Sequence, residues 1–237
     1  MKCLMKRFVS LLLAVVLILS LPQYSREVFA AKSAANLPRP TDSYTQDGML
    51  ALLKTYNPDA YQIVSTEIYE FYDDPSFWFG YGNIISGLDA AVHETYHGYT
   101  ENTAGILGKR ENIYAGNDRS YILDYSNIPL FASSEAFEDL DASLRTDRFE
   151  NYVGKSSIMS SNMYGVYGLI NEFSAYYWGL NTMSSLMDYY KEYDTDNTGW
   201  KAFISSLGNN MNAYAEFKYW TLSYILKLRT CKYIVAP

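Results

Sequence analysis

Val92-His93-Glu94-Thr95-Tyr96-His97-Gly98 holds both of the chain's histidines, four residues apart, with a glutamate directly after the first. On an α-helix, residues i and i+4 lie one above the other, so both imidazoles can reach one metal ion. Glu94 falls one step round the helix, where a carboxylate can serve a water on that ion without being a ligand. The local sequence favours the helix this pattern needs. Ser86-Gly87-Leu88-Asp89 has the form of a capping box and predicts a helix start at Ser86. Ala90, Ala91 and Val92 continue it, and Gly98 predicts an end near Thr100.

A catalytic zinc takes three protein ligands and keeps one position open. No third histidine exists, so the third ligand is a carboxylate or, less favoured, a tyrosine or Cys231. Residues 165–190 carry Val166, Leu169, Ile170, Phe173, Tyr176, Tyr177, Leu180, Met183 and Met187 at helical spacing, and Glu172 sits inside that stripe. A carboxylate buried there without a partner costs several kcal/mol, on the order of the transfer penalty of a lone polar group, so it needs a cation, a metal or a hydrogen-bond donor. Glu101 follows His97 by four residues, but on an unbroken helix it lies about 12 Å along the axis from His93. Only a helix break at Gly98 brings it back. Glu216 is the other fallback.

His93-Glu94-x-x-His97 followed by Glu172 on a second helix resembles the gluzincin branch of the zinc metallopeptidases. Asn171-Glu172-Phe173-Ser174-Ala175 is similar to the surroundings of the third ligand in aminopeptidase-type gluzincins. The resemblance covers about a dozen residues. It implies a zincin-like catalytic domain, one catalytic zinc on His93, His97 and Glu172, and peptide-bond hydrolysis with Glu94 as general base. It also implies a donor to the oxyanion, for which Tyr164, Tyr167 and Tyr176 are the candidates, with Tyr99 near the helix end. The 75 residues from His97 to Glu172 exceed the usual gap in that family. The metzincin pattern fails, because Gly98 is at the wrong offset and position 103 is Thr103.

The remaining chain predicts an α+β, mostly helical domain. Met49 to Tyr56 reads as a short helix, and Tyr61 to Tyr72 as a strand or a short helix. Residues 111–125 predict a β-hairpin turning at Gly116-Asn117-Asp118. Ser133 to Tyr152 predicts a helix, Ser156 to Asn162 a polar connector, and Met211 to Leu228 a final helix. Asp194-Thr195-Asp196-Asn197-Thr198-Gly199 resembles the start of a calcium loop, but its twelfth position is Ser205 rather than glutamate, and a turn between helices explains it equally well.

Residues 1–30 read as a signal peptide: Lys2, Lys6 and Arg7, an apolar run from Phe8 to Leu21, and a Val28-Phe29-Ala30 cleavage site. Residues 31–47 read as a flexible lead-in and residues 48–237 as one domain, whose abrupt end suggests a truncated C-terminus. Cleavage removes four cations and one anion, taking the net charge from −7 to −10. So acidic a chain is a poor partner for nucleic acid or an anionic membrane surface. The expectation is a secreted protein, not stably inserted in a membrane, acting on a peptide or protein substrate. The 24 tyrosines suit a semi-polar cleft and also fit the competing reading, a secreted peptide- or glycan-binding surface protein with a structural or inactive metal site.

Overall fold

A computed structural model of the chain describes residues 37–80, 82–105, 109–128 and 130–230. The segment read as a signal peptide, Cys231 and the C-terminal residues lie outside these. The fold is mostly helical with one two-stranded antiparallel sheet.

Helix α1 spans Gln46–Tyr56 and α2 spans Pro58–Glu70. Asn57 forms the corner between them. Its side-chain oxygen accepts from the Ala60 N–H at 3.1 Å, and Pro58 takes the first helical position, where a missing N–H costs nothing. Its amide nitrogen reaches Asn181 at 2.9 Å and Thr182 at 3.3 Å, tying the corner to a later helix. This corner decides the ambiguous stretch 61–72 in favour of helix. Ala60, Ile63, Val64, Glu67 and Ile68 then share one buried face. Upstream, the stretch read as a lead-in is bonded to the body from residue 38. Pro38 O accepts from the Tyr189 hydroxyl, and Ser43 forms a bridge to Asn83.

Helix α3, Leu88–Asn102, carries the histidine motif and runs unbroken through Gly98. Its N-cap is Gly87 rather than Ser86, and the capping box does not form. Ser86 belongs instead to a turn organised by Asn83, whose side-chain oxygen accepts from Ile85 and Ser86 N–H. Gly87 is required here: a Cβ would stand 2.2 Å from the Trp78 carbonyl oxygen.

The hairpin forms as expected, from β1 (Arg110–Gly116) and β2 (Arg119–Asp124). Its tip is held by Asp59, which accepts from the Tyr114 hydroxyl at 2.7 Å and the Asn117 N–H at 2.8 Å. Tyr114 O also accepts from Trp178 Nε1 and the Tyr96 hydroxyl, which docks β1 onto two helices.

The stretch 133–152 is not one helix. It breaks into α4 (Ser133–Ala136), a 3₁₀ turn at Ala142–Leu144 and α5 (Asp147–Tyr152). Asp141 accepts from the backbone and the hydroxyl of Ser143, a local bond that competes with helix propagation. The polar connector contains a short α6, Ser160–Met163.

Helix α7, Val166–Ser185, is the central element, with apolar clusters on both sides. One joins Ala175, Trp178 and Met183 to the buried faces of α1, α2 and α3. The other joins Val166, Leu169, Ile170 and Phe173 to the hairpin and the C-terminal helix. Each fully buried large apolar side chain contributes about 1.5–3 kcal/mol, so α7 is held from both faces. Helices α8 (Met187–Tyr193) and α9 (Thr198–Thr230) complete the described residues. The acidic loop between them is a turn: Asp194 accepts from Trp200 N–H at 2.9 Å and Asp196 from Thr198 N–H at 3.1 Å. No described helix is long and apolar enough to cross a membrane.

Candidate metal centre

The site lies where α3 packs on α7. Their close approach depends on Gly179, where a Cβ would come 3.0 Å from the backbone oxygen of Asp89 and 3.7 Å from His93 Cβ. The helical spacing of the motif then directs His93 and His97 at α7, and the residue facing them is Glu172. His93 Nε2 and His97 Nε2 are 3.1 Å apart, and each is 3.7 Å from Glu172 Oε2. Among the described residues, this is the group of histidine, cysteine and acidic side chains whose ligand atoms converge as they would on an ion.

Three features show that this donor set fits a metal ion. Four ligands at about 2.0–2.1 Å from a tetrahedral ion are about 3.3–3.4 Å from one another, and the three observed separations bracket that edge. Glu172 is 3% exposed, and its Oε2, the atom aimed at the imidazoles, has no hydrogen-bond partner. Such an atom is costly to bury unless a proton or cation meets it. Finally, the tautomer of His97 follows from a chain of bonds. Thr100 Oγ1 donates to His97 O at 2.8 Å and accepts from Asn171 Nδ2 at 2.7 Å. Asn171 Oδ1 therefore accepts from His97 Nδ1–H. The His97 lone pair is then on Nε2, pointing at His93 and Glu172, as a metal ligand requires.

Electrostatics agree with neutral imidazoles. Burial, and secondarily His97, hold His93 well below the ordinary histidine value. Burial also lowers His97, against the opposing hydrogen bond that it donates to Asn171. Burial and then the nearby Glu94 push the Glu172 carboxyl up to about 8, as expected for a carboxylate with no cation beside it.

These residues border a cavity of about 200 Å³. Glu94 lines it, half-buried, with its carboxyl raised by burial. Glu101 also lines it, but it is not part of the converging group, as the unbroken helix requires. Glu216 is ion-paired to Arg148 at 3.3 Å. Of the four tyrosines singled out from the sequence, Tyr164 lines the cavity and Tyr99 is not among the lining residues. Tyr176 supports the site from behind: its ring packs edge-on against His93 at 4.4 Å, and its hydroxyl is 3.0 Å from that of Tyr152. Tyr167 is fully buried against Tyr125 and is not among the lining residues.

Sequence reasoning missed Tyr152 and Glu111, both of which line the cavity. Tyr152 ends a one-and-a-half-turn helix with no periodic signal. Glu111 follows Arg110 at the start of a strand, where nothing in the alternation marks it as inward-facing. A comparison with protein-family models, curated proteins and solved structures finds no match for the chain.

Proposed function

We propose that the protein is an exported zinc-dependent hydrolase of peptide bonds, with His93, His97 and Glu172 as metal ligands and Glu94 as general base. The observation that carries the reading is the unpartnered, buried Glu172 Oε2 facing two imidazole nitrogens, each at 3.7 Å. The arrangement of two histidines on one helix and a glutamate on a later helix packed against it supports the gluzincin resemblance and, with it, a zincin-like fold.

A zinc ion held there supplies Lewis acidity to a substrate carbonyl and to the attacking water. The chain's own residues do the rest. Glu94 takes the proton from the water and passes it to the leaving amine, which is general acid–base chemistry by a carboxylate outside the ligand set. Asn171 fixes the His97 ring. Tyr152 and Tyr164 line the cavity where an oxyanion donor is needed. The apolar packing of α7 keeps Glu172 in place.

Two measurements on purified protein test this. Metal analysis should give about one zinc per chain, abolished by His93→Ala with His97→Ala; undiminished zinc in that double variant sinks the proposal. Glu94→Gln should keep the zinc and lower peptide hydrolysis by about 10²–10⁴-fold. A wild type that holds zinc yet cleaves no member of a peptide library points instead to a peptide- or glycan-binding protein with a structural metal.

A further inference from the structure

The cavity carries more acid than the hydrolase reading uses. Four carboxylates line it, from Glu94, Glu101, Glu111 and Glu172, and no lysine or arginine is among the described lining residues. Glu94 and Glu172 have roles in that reading. Glu111 has none, yet it is 4% exposed, and its Oε2 is buried with no hydrogen-bond partner. Its side chain also hydrogen-bonds Asn171. Asn171 thus touches both His97 and Glu111, so the second acid sits one side chain from the metal centre. Glu101, on the last turn of α3, lines the same cavity in an exposed position and acts electrostatically on Glu111.

A buried carboxylate that lines a cavity and leaves an acceptor unused is matched by a donor that arrives with a ligand. Two acids do not make a metal cage, and Glu101 and Glu111 are not part of the converging group of ligand atoms. The complementary ligand is therefore an organic cation. The lining also includes Met159 and Tyr164, both partly exposed, which suit the apolar stem of such a group.

We infer that Glu111, assisted by Glu101, forms a specificity subsite for a positively charged nitrogen on the substrate, an ammonium or guanidinium group beside the bond to be cut. Identifying the ligand as part of a substrate rests on the hydrolase reading; the subsite itself does not. In the free protein burial raises the Glu111 carboxyl to about 8, so the incoming cation displaces a proton there.

The test is binding of two small probes to the zinc-loaded full chain, followed by calorimetry or NMR shifts. Nα-acetyl-lysine methylamide carries the charge, and Nα-acetyl-norleucine methylamide is its uncharged analogue, with the same four-carbon stem and no ammonium. The lysine probe should bind at least about tenfold more tightly, and Glu111→Gln should remove that preference while leaving zinc content unchanged. Glu101→Gln, at an exposed position that does not threaten folding, should reduce the preference by a smaller factor. Leucine amide, charged only at its α-amine, tells whether the subsite takes a terminus or a side chain. Equal binding of the lysine and norleucine probes by the wild type overturns the inference. So does a lysine preference that survives Glu111→Gln. Absence of zinc sinks the hydrolase reading instead, and the probe comparison still decides the subsite.

Discussion

Asn171→Ala isolates the part of the metal centre that no ligand supplies. Asn171 is 5% exposed and joins His97 Nδ1–H, Thr100 Oγ1 and Glu111. The alanine variant leaves His97 free to rotate and to exchange tautomers, so its Nε2 no longer carries an obligate lone pair. Residues that orient a metal-binding histidine in this way are worth about 10–100-fold in metal affinity, or about 1.4–2.7 kcal/mol. The metal-free protein should also lose about 1–3 kcal/mol, because a ring N–H and the Glu111 carboxyl are left buried without their partner. Two readouts separate these effects. Competition against a chromophoric zinc chelator gives the affinity, and urea unfolding with and without zinc gives the stability. Asn171→Asp supplies a control. It keeps the acceptor for His97, so zinc affinity should hold, but it loses the donor to Thr100 and buries a second carboxyl against that of Glu111, so metal-free stability should fall. An Asn171→Ala protein that folds and binds zinc as tightly as wild type would refute the argument that this side chain sets the His97 tautomer.

Glu67, outside the ligand set and packed against α3 at Gly98 and Asn102, makes a pH prediction. It is 1% exposed, with Oε2 accepting from Asn102 at 2.8 Å and Oε1 unpartnered, and burial is the main cause that raises its carboxyl to about 7. The folded state holds this proton more tightly than the unfolded one, so stability is full below about pH 4.5 and falls as pH rises toward 7. After allowance for partial solvent screening the loss is about 1–2 kcal/mol. Urea unfolding of Glu67→Gln across pH 4–8 should show a shallower decline than wild type, and parallel curves would count against it. Gly179→Ala gains about 1 kcal/mol of helix propensity. It loses about 1–3 kcal/mol by crowding the Asp89 carbonyl. A less stable protein with weaker zinc binding is expected in unfolding and chelator assays, and a more stable one with unchanged affinity would show that α3 and α7 have room to spare. Glu101→Ala and Glu216→Ala should both leave zinc affinity unchanged, and loss of zinc in either would mean that the wrong third ligand was chosen.

What the sequence made legible follows from where its signals are physically local. The histidine pair, Glu94 and the helix that bears them are a matter of i, i+4 spacing, and the motif helix forms with its start two residues later than Ser86 suggests. Glu172 was legible because a charge inside an apolar stripe calls for a partner, and the structure puts it opposite both imidazoles. The first half of α9 was hidden for the converse reason. Its buried positions begin Gly199, Phe203, Ser206, Asn210, Ala213 and Phe217, so two of the first four are polar. They are tolerated because they satisfy one another: Asn210 Nδ2 donates to Ser206 Oγ at 2.8 Å and to Asp89 at 3.1 Å on α3. An apolar period cannot report a stripe held together by hydrogen bonds between distant helices. The same limit concealed Glu111, whose meaning depends on Asn171, sixty residues away in the chain. Asp89 shows the point most directly. Read locally it completes a capping box with Ser86; in the folded chain it bonds across to Asn210, and the helix starts on a glycine because the Trp78 carbonyl leaves no space for a side chain.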